Sequence, residues 1–345
     1  MNYPILTPED LRQSLLRLPR VELAHLPTPL EEVPRFADRI GSSSRIFIKR
    51  DDCTGLLFGG NKTRHNEFVL ADAMQQGADV VVWGGAAQSN NSRQTAAACA
   101  KLGLECHLHL SRKMGHDDVQ GNLLLDHLVG AKVELVDAMI GPELDALMKA
   151  RADACRAAGR RPYVWDRHRV KPIAAASYAL CLIEILGQLR RQRLEPDALY
   201  VCSAGSTGSG LAMAKAVLGL SCRLRLVAPI HWPWDNRADM AEVASRAAEL
   251  LGLPHRLTAD DIDATEDFVG PSYGALTPAG REAIDLLART EGILLDPAYT
   301  AKALACLIDD VRHGRLPSGR IVVFVHTGGQ PAVFAYRDDL MSGRK

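Results

Sequence analysis

The chain has 345 residues, 47% of them hydrophobic and 24% charged, with 41 basic side chains set against 41 acidic ones. That length exceeds one small core and suits two domains of ordinary size. A net charge of zero offers neither the basic face of a nucleic-acid binder nor a polybasic membrane patch.

No apolar run approaches the length of a membrane span, and Met1-Asn2-Tyr3-Pro4 lacks the basic and apolar regions of a secretory signal. The eight cysteines (53, 99, 106, 155, 181, 202, 222 and 306) contain no Cys-x-x-Cys pair. That argues against a metal site and fits reduced thiols in a cytoplasmic protein.

In chain order, Thr7 is a natural N-cap for an amphipathic helix over 8–18. The prolines of Leu26-Pro27-Thr28-Pro29-Leu30 impose an extended segment. Residues 45–49 alternate as a strand. Helices over 66–76, 92–102, 121–129 and 141–158 then alternate with strands over 78–83, 105–110, 132–136 and 162–165. The second half repeats the rhythm, with helices over 173–191, 210–218, 238–251, 277–290 and 300–313. Its strands are 198–202, 223–227 and 320–325. Such alternation predicts an α/β chain with two open, mostly parallel sheets covered by helices. Ligands of such sheets bind outside the carboxyl ends of the strands, so the loops after strands carry the interest.

Four segments stand out. In Phe58-Gly59-Gly60-Asn61-Lys62-Thr63-Arg64, a glycine pair places a lysine at a helix start, where positive charge is disfavoured. Lys62 is therefore a candidate for a lowered pKa and for imine chemistry. Gly84-Gly85-Ala86-Ala87-Gln88-Ser89-Asn90-Asn91 joins a strand to a helix. It reads either as an ordinary N-cap or as a cradle of N–H donors for a carboxylate. Residues 202–210, Cys-Ser-Ala-Gly-Ser-Thr-Gly-Ser-Gly, have the makings of a phosphate cup, with glycine spacing unlike the dinucleotide fingerprint and no Walker lysine. Val325-His326-Thr327-Gly328-Gly329 follows the last strand. A phosphate cup and a special lysine suggest a cofactor bearing a phosphate and an aldehyde, and pyridoxal 5'-phosphate has both.

These motifs, together with Leu295-Asp296-Pro297-Ala298-Tyr299, resemble in order the D-cysteine desulfhydrase and 1-aminocyclopropane-1-carboxylate deaminase family. The resemblance runs along most of the chain and implies the tryptophan-synthase-β-like fold (fold type II). It further implies a larger domain from 1–54 and 166–345 around a smaller inserted domain, 55–165. By the same resemblance Lys62 holds the cofactor as an imine, Asn90 bonds its phenolic oxygen and Thr327 faces its pyridine nitrogen. Gly205, Ser206, Thr207, Gly208 and Ser209 hold the phosphate. Ser89, with Gln88 and Asn91, grips the substrate carboxylate, while Tyr273 and Tyr299 lie at cofactor or substrate. Lys62, Ser89 and Tyr299 are the catalytic candidates.

The implied activity is α,β-elimination from a small, D-cysteine-like amino acid to pyruvate, ammonia and the leaving group, by a cytoplasmic homodimer. Thr300 and Thr327 stand where the deaminases have a glutamate and an apolar residue, which favours elimination over opening of a cyclopropane ring. Relatives have a lysine and an apolar residue where this chain has His65-Asn66. They also have a glycine- and serine-rich loop where it has Asp166-Arg167-His168-Arg169-Val170-Lys171-Pro172. Those cations either pair an anionic substrate, as in an L-cysteate sulfo-lyase, or form a solvated basic loop. A non-catalytic ligand-binding protein on the same fold, or a dehydrogenase, is the alternative of a different class.

Overall fold

The computed structural model describes residues 3–203 and 205–343. Ala204, within the expected phosphate cup, lies outside the described residues. Thr7 caps α1 (Pro8–Leu15), its hydroxyl accepting from the Asp10 N–H at 3.1 Å. The helix stops short of residue 18 because Pro19 disfavours helical backbone before it.

The chain continues through β1 (Leu30–Glu32), α2 (Pro34–Arg39), β2 (Arg45–Lys49), α3 (Asn61–Gln75), β3 (Val80–Ala86) and α4 (Asn90–Leu102). Then come β4 (Glu105–Ser111), α5 (Gly121–Leu128), β5 (Lys132–Val136), α6 (Pro142–Ala157), β6 (Pro162–Val164) and α7 (Arg167–Arg190). They are followed by β7 (Ala198–Cys202), α8 (Ser206–Val217), β8 (Arg223–Val227), α9 (Asn236–Leu250) and β9 (Ala264–Thr265). Last are α10 (Pro278–Glu291), α11 (Thr300–Arg312), β10 (Ile321–Val325) and α12 (Arg337–Met341).

One sheet has the order β5-β4-β3-β6 and is wholly parallel. The other, β1-β2-β10-β7-β8-β9, is parallel except at its β1 edge. Helices cover both faces, so alternate residues of one strand enter different cores. Leu199 and Val201 of β7 pack with α7 and α8, while Ala198, Tyr200 and Cys202 pack with α11. This is why these strands are apolar throughout rather than alternating.

α7 is apolar and 24 residues long, enough to cross a membrane, contrary to the expectation that no run approaches that length. Burial of 78% of its apolar window accounts for that composition as the core helix between the sheets. Its first turn also corrects the expectation of a basic loop. Asp166 caps it by accepting from the N–H groups of His168 (2.7 Å) and Arg169 (3.3 Å). Arg167 and Lys171, one turn apart, both pair with Asp239 of α9, and Arg169 pairs with Asp72 of α3. Pro172 cannot donate to the His168 carbonyl, which accepts instead from Arg246 at 3.1 Å. The cations therefore fasten three helices together, with Arg169 still exposed to solvent.

Candidate active site

The turn before α3 sets the position of Lys62. Gly60 has φ +125° and Gly328, beyond β10, has φ +94°; a Cβ on Gly328 would lie 2.7 Å from the Gly60 Cα. Only glycine lets these two turns touch. The Asn61 N–H then donates to the Thr327 carbonyl at 3.0 Å, and the Asn61 side-chain amide donates to the Thr207 hydroxyl at 2.9 Å. α3 thus begins at Asn61, five residues earlier than its pattern predicts, and Lys62 lies inside the first turn. Its amine makes no hydrogen bond to any described residue. Burial lowers its pKa to about 8, opposed only weakly by Cys202.

Lys62 lines a cavity of about 250 Å³ between the carboxyl ends of both sheets. One wall is the β3–α4 turn, which contributes Ser89, Asn90 and Asn91. Ser89 is an N-cap as well as a wall residue, its hydroxyl accepting from the Ser92 N–H at 3.1 Å. The Asn90 side-chain oxygen accepts from Asn122 at 2.8 Å, which leaves the Asn90 amide N–H groups for a ligand. Gln88 does not line the cavity. Its amide is spent on the carbonyls of Asp118 (3.2 Å) and Gln120 (3.0 Å) and on the Asn122 N–H (2.9 Å), so it positions Asn122 instead.

The second wall is the start of α8, where Gly205, Ser206 and Thr207 face the cavity. The helix begins at Ser206 rather than at 210, so the expected loop is a helical first turn with its N–H groups exposed to a ligand. Gly208 and Ser209 stand behind this wall. The Gly208 N–H donates to Ser203 Oγ at 2.8 Å, and Ser209 Oγ is buried without a partner.

The third wall holds Thr327 and the two tyrosines, whose hydroxyls are 2.6 Å apart. Burial raises the pKa of Tyr299 and Tyr273 above the ordinary phenol range, so both stay protonated. Tyr299 is aimed by Asp296, whose carboxylate accepts from the N–H groups of Ala298, Tyr299 and Thr300 and from the Thr300 hydroxyl.

Sequence reasoning passed over Trp165, Ile230 and Trp232, which also line the cavity, and of the cations it weighed in 166–172 only Lys171 is there. The available signal was position: 228–235 follows β8 at its carboxyl end, where ligand loops belong. Trp232 stacks on Trp234 at 4.6 Å, and the Arg167 guanidinium sits 4.8 Å over the Trp234 ring.

On the expectation that Ser89 grips the substrate carboxylate, replacing it with alanine removes that contact along with a cap worth about 1 kcal/mol. We expect KM to rise about tenfold with kcat nearly unchanged, alongside a melting temperature lower by a few degrees; steady-state kinetics and calorimetry check both.

The residues present fit a phosphate-bearing aldehyde. An unbonded, easily deprotonated amine faces a helix N-terminus, an ideal Cβ on Gly205 meets nothing within 4 Å, and the orphaned Ser209 hydroxyl lies behind.

A family model described as pyridoxal-phosphate dependent enzyme matches residues 21–328. The D-cysteine desulfhydrase of Klebsiella pneumoniae (strain 342) is 39% identical over 334 residues, 95% of this chain and 99% of that protein. A solved structure of an ACC deaminase homologue has a TM-score of 0.88 at 34% identity, covering 98% of this chain and 99% of its own. Diaminopropionate ammonia lyase from Escherichia coli, at 14% identity and a TM-score of 0.70, shares the fold. The expected fold type II architecture and the expected cofactor are both borne out. The chain belongs to the pyridoxal-phosphate dependent enzyme family, and pyridoxal phosphate is its cofactor.

Proposed function

We propose that the protein is a lyase that converts a small β-substituted amino acid, D-cysteine or a close analogue, to pyruvate, ammonia and the β-leaving group. With D-cysteine one water is consumed and hydrogen sulfide departs. The observation that carries this reading is the unbonded Lys62 amine, facing the Ser89–Asn90 turn on one side and the Tyr273–Tyr299 pair on the other. The D-cysteine desulfhydrase name of a relative covering nearly the whole chain supports the substrate.

Bound pyridoxal phosphate supplies an electron sink for negative charge at the substrate's α-carbon. Lys62 would hold the cofactor's aldehyde carbon, and its freed amine would take the α-proton. Ser89 and Asn91, with the N–H groups opening α4, receive the carboxylate, and Asn90 donates to the cofactor's phenolic oxygen. Gly205, Ser206 and Thr207 receive the phosphate. Thr327 offers the pyridine nitrogen a hydroxyl rather than a carboxylate, and no acidic residue among those described lines the cavity. Thr300 is also spent, its hydroxyl bonded to Asp296 at 2.6 Å. A neutral pyridine suffices to expel a good leaving group from Cβ, which sets elimination above cyclopropane opening. The anionic-substrate reading loses support because Arg167 and Arg169 are paired with carboxylates and stand outside the cavity lining.

Tyr299, kept protonated, donates to a leaving thiolate. Tyr299→Phe should therefore lower kcat on D-cysteine by about 100-fold, yet leave β-chloroalanine within a few-fold because chloride needs no proton. Equal losses on both substrates would remove that role.

The division into 1–54 with 166–345 around 55–165, and a cytoplasmic homodimer, belong to the same proposal; light scattering on the purified protein checks the dimer. The central test is a visible spectrum followed by a pyruvate-release screen on D-cysteine, L-cysteine, cysteate, β-chloroalanine, D-serine and the cyclopropane amino acid. A yellow protein active on D-cysteine supports the reading. A yellow protein that releases no pyruvate from any β-substituted amino acid overturns it.

A further inference from the structure

We propose that Lys171, in the first two turns of α7, is the counter-ion of the cofactor's phosphate, a charge delivered from the α7 side of the cup. The inference rests on the placement of that phosphate at the start of α8 argued above.

Helix register makes the first argument. α7 ends at the amino end of β7 and α8 starts at its carboxyl end, so the two helices run in the same direction. They touch where Gly210 meets the Ala175 carbonyl, so closely that an ideal Cβ on Gly210 would lie 2.0 Å from the oxygen. Counting back one turn of about four residues on each helix leads to Lys171 and Ser206. Lys171 and Ser206 line the same cavity, as this register requires.

Charge makes the second. A phosphate monoester carries about −1.5 to −2 near neutral pH and is held more tightly where a cation joins the N–H donors. Among the described residues lining the cavity, the only cationic side chains are Lys62 and Lys171. Lys62 is committed to the aldehyde end.

On the α3 side the cup meets His65, whose Nε2 is 3.2 Å from Thr207 Oγ1. Burial, with Lys62 and Arg64 nearby, pushes the His65 pKa well below its ordinary value, so the ring is neutral there. It orients the Thr207 hydroxyl without supplying charge.

Lys171 is built for the task. It and Arg167 share the Asp239 carboxylate, so that carboxylate does not match both cations. Its ammonium gives one hydrogen bond, 2.8 Å to Asp239, and an ammonium has three donors. Arg167 is drawn away over Trp234, which leaves Lys171 as the member of the pair that reaches the cavity.

The test uses the full-length chain, freed of cofactor and titrated by absorbance with pyridoxal phosphate or with pyridoxal, which lacks the phosphate. Lys171→Met should weaken pyridoxal phosphate about 10- to 100-fold while leaving pyridoxal within about threefold, and Lys171→Arg should restore most of the loss. Lys171→Gln, which keeps a donor toward Asp239, replaces the Met variant should that one misfold. An unchanged preference for pyridoxal phosphate over pyridoxal overturns the proposal. So does intact cofactor binding with a selective loss of kcat/KM on cysteate, which would place Lys171 at the substrate. Wild-type protein that binds neither compound would instead overturn the cofactor placement itself.

Discussion

Lys62→Ala is expected to lower pyruvate release by at least about ten-thousand-fold and to abolish the visible absorption of the purified protein. The size follows from the cavity's composition. Lys171, the other amine among the described lining residues, is tied to Asp239 at 2.8 Å. No second amine stands ready to replace Lys62 as anchor and base.

The loss should be one of chemistry and not of folding. The Lys62 amine forms no hydrogen bond to a described residue, and burial holds its pKa at about 8, so its charged form is disfavoured in the folded state. Removing it should stabilise the cofactor-free protein. A group whose folded pKa is depressed in this way destabilises most below about pH 8, so the gain is largest there. It fades as pH rises toward the ordinary lysine value. Calorimetry of both cofactor-free proteins from pH 7 to 10 tests the sign. A variant that unfolds while losing activity would show that Lys62 is a structural residue.

Two residues on, Arg64→Ala should cost about 3–5 kcal/mol of stability, the characteristic penalty for stranding buried charge. The Arg64 side chain is 1% exposed and that of Asp51 is 0%. The guanidinium grips Asp51 through Nε (2.9 Å) and Nη2 (2.8 Å), and reaches both oxygens of Glu184 at 2.8 Å. Lys49 also donates to Glu184 (2.7 Å), and Tyr178 and Thr28 donate to Asp51 at 2.7 Å each. The cluster locks α3, β2, α7 and the segment before β1 together, and with them the turn that carries Lys62.

Burial pushes Asp51 and Glu184 up, but Arg64 and the neighbouring donors outweigh it and hold both carboxylates below their ordinary values. Their stabilisation is therefore complete above the unfolded carboxylate range and is lost as pH falls through the folded values. The gap between wild type and Arg64→Ala should be widest near neutrality and narrow below about pH 4, where the stranded carboxylates can take up protons. Urea unfolding at pH 7 and pH 4 measures this. A cost under about 1 kcal/mol at pH 7 would mean that water reaches the cluster and screens it.

Some elements were legible because their information is local. β2, β5, β7 and β8 have the bounds that short apolar or alternating runs predict, and Thr7 caps α1 as its residue type suggests. Helix starts were harder to read where the first turn is polar, and α7, although Asp166 caps it, begins six residues before its apolar pattern. α3 and α8 open on Gly60 and Gly205, whose side chains offer no cap, and both begin four or five residues earlier than their apolar pattern. The edge strands β1 and β9 are too short to carry a period and exist because β2 and β8 offer them partners.

The same distinction governs the site. By itself the sequence determined the α/β alternation, the lysine in its glycine turn, the small-residue helix start and, through an ordered series of motifs, the cofactor. Those depend on residue types at short spacing. What only the tertiary structure decided is which side chains remain free to act. Gln88 looks like a ligand until the carbonyls of Asp118 and Gln120 consume its amide, and the basic segment looks open until Asp72 and Asp239 engage its side chains. Lys171 becomes a cavity residue only because α7 and α8 pack in register at Ala175 and Gly210. A hydrogen-bonding group's chemistry is written in its own identity, but its availability depends on partners that the chain supplies from dozens of residues away.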